Sequence, residues 1–276
     1  MQTFKKFLSV LALSATLAPA AYAGNVTVKG SDTMVVLGQK WAETYMKSHA
    51  GQTVQVTGGG SGTGISALTN GTTDIAESSR SMKDAEKAAV QAKFNQAATE
   101  FVVARDGVTV YVHKSNPLNE LTMDQIKQIY TGKVENWKEV GGPDAKITLY
   151  SRENNSGTYV FFKEHVLANA DFAARAQTLP GTAAVVNAVA RDKNGVGYGG
   201  AAYAKNIKPL KVKKDAASVG IAPSAATVKD GSYALARALF FYTRGAPAGD
   251  VKAFIDWVAG KDGQKVVTEV GYFPAK

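Results

Sequence analysis

The chain has 276 residues, 45% of them hydrophobic and 20% charged, which suits one large or two medium folded domains and is too apolar for a disordered chain. It contains no cysteine, which excludes a disulfide framework, thiolate metal sites, iron–sulfur clusters and a cysteine nucleophile, and its three histidines leave little room for an all-histidine metal centre. The formal net charge of +9 points to an anionic partner or ligand.

Residues 1–23 combine Lys5 and Lys6, an apolar run over 7–17 and a small-x-small end at Ala21, Tyr22 and Ala23. This pattern predicts a secretory signal peptide cleaved before Gly24, with an apolar run too short for a membrane span. Loss of its two lysines takes the charge from +9 to +7. No cysteine follows the run to carry a lipid, so the expectation is an exported, unanchored periplasmic protein.

Downstream, strand-like and helix-like patterns alternate. Residues 25–29 (NVTVK) read as a strand, and Leu37, Trp41 and Tyr45 form one stripe of a helix over 34–48. A strand at 53–57, a glycine-rich turn at 58–64, a short helix at 65–70 and a strand at 74–76 follow. Ser81 and Asp84 suggest a cap for a helix over 82–97. Strands are expected at 101–104 and 108–113, then a helix at 123–131 capped by Thr122 and stopped by Gly132. The pattern continues with a strand at 147–150, a helix at 156–168, and strands at 195–198, 208–212 and 234–242. The polar stretch 213–232 has no periodicity and reads as a segment passing between domains, with a surface loop as the alternative. Val251, Phe254, Ile255 and Val258 mark a last helix, ended by Gly260. This alternation predicts an α/β fold with a largely parallel sheet.

Four strand-to-helix turns share one chemistry: Gly30-Ser31-Asp32-Thr33, Gly60-Ser61-Gly62-Thr63, Ser78-Ser79-Arg80-Ser81, and Arg152 through Thr158 (RENNSGT). Each sets hydroxyls and small residues before a predicted helix, where unpaired backbone N–H groups and the positive dipole end favour an anion. Glycine lets a ligand approach the backbone closely. Taken singly, each turn is better explained by ordinary helix capping. Four of them at the carboxyl ends of strands, two with an arginine, form an anion-binding constellation where α/β sheets bind ligands. The sequence has no GxxxxGK[ST], no GxSxG and no HExxH, and His49, His113 and His165 are scattered as structural or surface residues. The basic residues are dispersed, and nucleic-acid binding is not expected.

The stretches GSDTM (30–34), GGGSGTGI (58–65), TDIAESSR (73–80), TMDQIKQIYTGKVENWKEVGG (122–142), SRENNSGTY (151–159), GVGYG (195–199) and GYFP (271–274) resemble the phosphate-binding proteins of high-affinity phosphate ABC importers, the PstS family. The resemblance spans essentially the whole mature chain. It implies a two-lobed periplasmic solute-binding fold of type II, with the ligand in a cleft between an expected lobe of residues 24–104 plus 234–276 and a second of 105–233. It implies capture of inorganic phosphate and delivery to a membrane permease by a monomeric, non-enzymatic protein without cofactor or metal. The implied phosphate ligands are Asp32, Thr33, Ser61, Ser79, Arg152, Ser156, Gly157 and Thr158, with Ser31, Asp74 and Arg80 as additional candidates. Family members often carry an aspartate at the position of Ser79, where it accepts the proton of hydrogen phosphate and repels sulfate. Here that acceptor is expected at Asp32 first and Asp74 second. Sulfate or a related oxyanion is therefore the alternative ligand, and a secreted phosphatase or adhesion protein on the same fold the alternative function.

Overall fold

Val26 and Val28 point into a core while their neighbours do not, and this alternation builds the first strand, β1 (Gly24–Gly30). The computed structural model describes residues 24–276; the expected signal peptide, residues 1–23, lies outside the described residues. The chain continues through α1 (Val35–Ser48), β2 (Gln52–Thr57), α2 (Ser61–Asn70), β3 (Ile75–Ser78), α3 (Asp84–Phe94) and β4 (Ala98–Val112). A second group follows: β5 (Glu120–Thr122), α4 (Met123–Tyr130), β6 (Thr148–Arg152), α5 (Gly157–His165), β7 (Gln177–Leu179), α6 (Gly181–Arg191), β8 (Gly195–Gly200), β9 (Lys208–Pro209), β10 (Lys211–Lys213) and α7 (Ala225–Lys229). The chain then returns through β11 (Ala236–Arg244) to α8 (Gly249–Ala259) and α9 (Lys261–Val270). Among the described residues no helix is long and apolar enough to cross a membrane.

The main sheet runs in the order β2-β1-β3-β11-β4-β8-β6-β7, with β9 pairing to β4 off this path. Within each half the strands are parallel: β1 with β2 and β3, β6 with β7 and β8. The expectation of a largely parallel sheet is corrected at the middle, where β11 runs antiparallel to β3 and β4, and β4 antiparallel to β8. The two runs expected at 101–104 and 108–113 are one 15-residue strand, β4. Its first part, through Gly107, pairs with β11, and Val108–Val112 pair with β8. A strand with the intervening Arg-Asp-Gly stays continuous because Asp106 is neutralised by a cross-strand arginine.

Two large cores lie on either side of this shared strand. One joins Val26, Leu37, Trp41, Phe241, Phe254 and Ile255, and Trp41 Nε1 donates to Gly263 O at 2.8 Å, fixing α1 against α9. The other joins Val110, Ile126, Tyr130, Trp137, Phe162 and Tyr198, with the Phe162 and Tyr198 rings stacked at 4.0 Å. This is a two-lobed α/β architecture. Thr122 caps α4 as expected, accepting from Gln125 N at 3.1 Å. The cap of α3 differs: the helix starts at Asp84, and the Glu86 carboxylate reaches back to Lys83 N at 2.8 Å. The stretch 213–232 folds α7 onto the second core through Val228, and the passage back to the first lobe comes after it, where Ala236 already pairs with Gly107.

Glu77, on β3, is fully buried, and neither carboxylate oxygen has a hydrogen-bond partner among the described residues. It occupies a notch left by Gly38 inside α1, where a Cβ would stand 2.8 Å from Glu77 Oε2. Burial, and secondarily the charge of Asp32, push its carboxyl well above the ordinary carboxylate value of 4.5. The native state thus holds a proton that the unfolded chain releases, so this group's contribution to stability falls as pH rises above 4.5. Glu77→Gln should gain stability relative to the wild type by about 1.4 kcal/mol per pH unit over that window. Urea denaturation of both proteins at pH 5, 6 and 7 measures this, and a pH-independent difference would show that Glu77 is ionised in the native protein.

Candidate anion-binding site

The four turns meet at the carboxyl ends of β1, β2, β3 and β6. Their backbones are tied first: Ser31 N donates to Glu77 O at 2.9 Å and Gly60 N to Gly30 O at 2.8 Å, bringing the ends of β1, β2 and β3 together. Their hydroxyls then form one buried cluster. Ser31 Oγ donates to Ser79 Oγ at 3.0 Å, Ser79 N donates to Ser61 Oγ at 3.1 Å, and Ser61 Oγ and Ser79 Oγ stand 3.4 Å apart. Thr33 Oγ1 and Thr158 Oγ1 share a hydrogen bond of 2.7 Å across the two lobes. Gly157 packs directly on this cluster, since a Cβ there would stand 2.4 Å from Ser61 Oγ and 2.6 Å from Ser79 Oγ.

Helix starts face the same place. Ser61 opens α2, and Gly157 and Thr158 open α5. The first turns of α1 and α2 have no side-chain cap, whereas Ser156 Oγ caps α5 by accepting from Tyr159 N at 3.3 Å. Uncapped N–H groups and the dipole of each helix make this end of the sheet electropositive.

Arg152 lies at the end of β6 with its side chain 1% exposed. The β6 end is fixed by Tyr198, whose hydroxyl accepts from Arg152 N at 3.3 Å and bonds Ser151 Oγ at 2.9 Å. Arg152 Nη2 donates across the cleft to Asp32 Oδ2 at 2.7 Å, and Nη1 donates to Thr182 Oγ1 at 2.9 Å. The other Asp32 oxygen accepts from Gly59 N at 2.8 Å. Tyr203 Oη donates to Asp32 O at 2.8 Å and Tyr272 Oη to Thr33 O, holding the first turn in place.

A second buried arginine is absent from the residues expected from sequence. Arg237, on β11, donates through Nη2 to Thr158 Oγ1 at 3.0 Å and Thr33 Oγ1 at 3.4 Å, and through Nη1 to Ser79 O at 3.1 Å. Its charge is balanced by Asp106, directly opposite on β4, whose Oδ2 accepts from Nη2 at 2.8 Å and Nε at 3.1 Å. The available signal was a lone arginine inside an otherwise apolar strand, with an acid between two apolar runs elsewhere. Buried charges of this kind require a partner.

The structure therefore brings Ser31, Asp32, Thr33, Ser61, Ser79, Arg152, Ser156, Gly157 and Thr158 to one place, with Ser156 engaged as a cap. It does not bring Asp74 or Arg80 there. Asp74 lies at the opposite end of β3 and accepts from Thr27 N at 2.9 Å and Thr27 Oγ1 at 2.7 Å. Arg80 turns away into a bidentate pair with Glu86 at 2.7 and 2.8 Å. The histidines bond locally: His49 to Tyr45 O, His113 to Ser115 and His165 to Phe161 O. None of them pairs with a hydroxyl of the cluster as a general base would. Rotated outward from one another, the hydroxyls become donors to a tetrahedral oxyanion, alongside two guanidinium groups and helix N–H groups.

Residues 15–262 match the model of the PBP superfamily domain. The phosphate-binding protein PstS of Pseudomonas aeruginosa is 34% identical over 268 residues, covering 91% of this chain and 83% of that protein. PstS of Staphylococcus haemolyticus is 36% identical over 259 residues, covering 90% of this chain and 80% of that protein. Among solved structures, a putative phosphate ABC transporter substrate-binding protein with bound phosphate from Clostridium perfringens superposes with a TM-score of 0.83 at 29% identity, covering 92% of this chain and all of that one. An ABC-type phosphate transport receptor from Vibrio cholerae superposes with a TM-score of 0.72 at 29% identity, covering 90% of this chain and 99% of that one. With the fold, the convergent turns and these relatives in agreement, the chain belongs to the PstS family of substrate-binding proteins within the PBP superfamily.

Proposed function

We propose that this protein captures inorganic phosphate between its lobes and delivers it to the membrane permease of an ABC importer, acting as an exported, unanchored monomer in the periplasm. The observation that carries this reading is the buried hydroxyl cluster closed from both lobes and flanked by Arg152 and Arg237. The protein is a binding protein and not an enzyme. Residues 24–104 with 234–276 act as one rigid body and 105–233 as the other. Closure is driven by the anion's better contacts in the closed state.

The ligands in this reading are Thr33, Ser61, Ser79, Gly157 and Thr158 as hydroxyl or backbone donors, and Arg152 as the charge-assisted donor. Asp32 orients Arg152, Ser31 positions the Ser79 hydroxyl, and Arg237 joins as a second guanidinium. The two arginines are balanced by Asp32 and Asp106. The bound anion therefore depends on oriented dipoles more than on net side-chain charge, as in other preorganised oxyanion sites. With Ser79 uncharged, the acceptor for the phosphate proton falls to Asp32, the acidic residue beside the cluster with partial solvent access. An acceptor left facing an unprotonated anion is repulsive, which is how sulfate is rejected.

Calorimetric titration of phosphate-stripped mature protein should give one phosphate per chain and much weaker sulfate binding. Arg152→Ala should weaken phosphate about 10- to 100-fold, the size of a lost charged hydrogen bond. Asp32→Asn should narrow the gap between the two anions. Equal affinities in the wild type would instead favour a general oxyanion carrier. A separate expectation concerns Arg237. Arg237→Met alone should destabilise the fold by about 3–5 kcal/mol, because Asp106 is left buried and uncompensated. Adding Asp106→Leu should restore stability in urea denaturation while phosphate affinity stays reduced. Full affinity in that double variant would remove Arg237 from the site.

A further inference from the structure

The glycine-rich turn 58–64 reads in sequence as a surface for close approach of a ligand. In the structure, what approaches it is Asn155, from the loop before α5 in the other lobe. Gly62 N donates to Asn155 O at 2.9 Å, while Asn155 Nδ2 donates to Gly59 O at 3.0 Å and to Thr63 Oγ1 at 3.0 Å. The turn is shaped for this residue. A Cβ on Gly60 would stand 3.0 Å from Asn155 O, and one on Gly62 would stand 3.2 Å from the same atom. Asn155 itself is exposed and bonds none of the cluster hydroxyls. It sits one shell outside them on both sides: Ser61 lies between Gly60 and Gly62, and Ser156 and Gly157 follow Asn155.

We propose that Asn155 and its glycine socket form a latch that sets how long the lobes stay closed over the anion, without contacting the anion. Asn155 is a positioning residue, and the inference rests on the phosphate-carrier reading above. An incoming anion enters the open protein, in which the latch contacts are absent, so the latch touches association only through the minor fraction of ligand-free protein that is already closed. A departing anion must wait for the lobes to part, which breaks all three hydrogen bonds, so the latch slows dissociation. Affinity differences within one interface are carried mostly by the dissociation rate for the same reason.

Stopped-flow measurement of phosphate association and dissociation tests this. Asn155→Ala removes the two side-chain bonds and should speed dissociation about 5- to 20-fold, with association unchanged within about twofold. Gly62→Ala keeps every hydrogen-bonding group yet crowds Asn155 O, and it should speed dissociation as well. Gly62 is the second residue of α2, where alanine is the better helix former, so the same variant should match or exceed the wild type in urea denaturation. Faster dissociation with undiminished stability is a combination that general damage to the fold would not produce. Unchanged dissociation in both variants, or a loss of affinity carried by association, would overturn the proposal.

A second measurement does not depend on which anion binds. The chain has no cysteine, so Lys87→Cys on the first lobe and Lys133→Cys on the second accept a fluorophore pair cleanly. Both positions are exposed. Energy transfer in the ligand-free protein should report a smaller closed fraction in Asn155→Ala and in Gly62→Ala than in the wild type. Equal transfer in all three would overturn the latch even if phosphate proved to be the wrong ligand. Failure of wild-type protein to bind phosphate, with transfer still altered, would overturn the carrier reading alone.

Discussion

The ion pair between Arg237 and Asp106 is the constraint on which the site depends. The two residues face each other on β11 and β4, the strands that link the lobes, and both are almost completely buried. From that position Arg237 reaches Thr33 Oγ1 in the first lobe and Thr158 Oγ1 in the second. A charged group in this place cannot be left uncompensated, because desolvation of an isolated ion costs several kcal/mol, on the order of the stability of a whole domain. Asp106 meets that demand, and in doing so it fixes the guanidinium at the floor of the cleft. The strands that link the lobes and the hydroxyl cluster are consequently joined through the same side chain. Movement of one lobe against the other must change what Arg237 touches.

Around this floor the chemistry is one of redirected hydroxyls. Serine and threonine can donate or accept, so Ser31, Ser61, Ser79, Thr33 and Thr158 satisfy one another when the lobes meet. The same groups can turn to a tetrahedral anion without leaving a buried donor unpaired. Gly157 matters for a steric reason, since any side chain there would fill the space between Ser61 and Ser79. Arg152 supplies the contact across the cleft, and Asp32, Thr182 and Glu153 together fix its guanidinium. Tyr198, stacked on Phe162, carries the β6 end into place, so the aromatic core of the second lobe positions Arg152.

Much of this was legible in the residues. Period-two alternation found the longer strands but not the short β5 and β7, the Leu37-Trp41-Tyr45 stripe found α1, and four hydroxyl-bearing turns pointed to one end of one sheet. What escaped depends on contacts distant in sequence. Arg237 and Asp106 are 131 residues apart and carry meaning only once β11 lies beside β4. The Arg-Asp-Gly segment looked like a break because its compensating charge was out of view. Asp74 and Arg80 flank Ser79 in sequence, yet Asp74 precedes β3 and faces Thr27, while Arg80 turns to Glu86 beyond its end. In sequence, the glycines at 60 and 62 read as room for a ligand. The space belongs to Asn155, a residue that sequence alone grouped with the fourth turn and gave no part of its own. Composition explains the rest: without cysteine, the lobes rely on two large aromatic and aliphatic cores for stability.

The most direct test of anion capture between the lobes is a crystal structure of the mature protein grown with phosphate. A tetrahedral ion should be enclosed between the lobes, within hydrogen-bond distance of the Ser61, Ser79 and Thr158 hydroxyls and of both Arg152 and Arg237. Phosphate bound to residues of one lobe only, or seated away from Arg152 and Arg237, would contradict it.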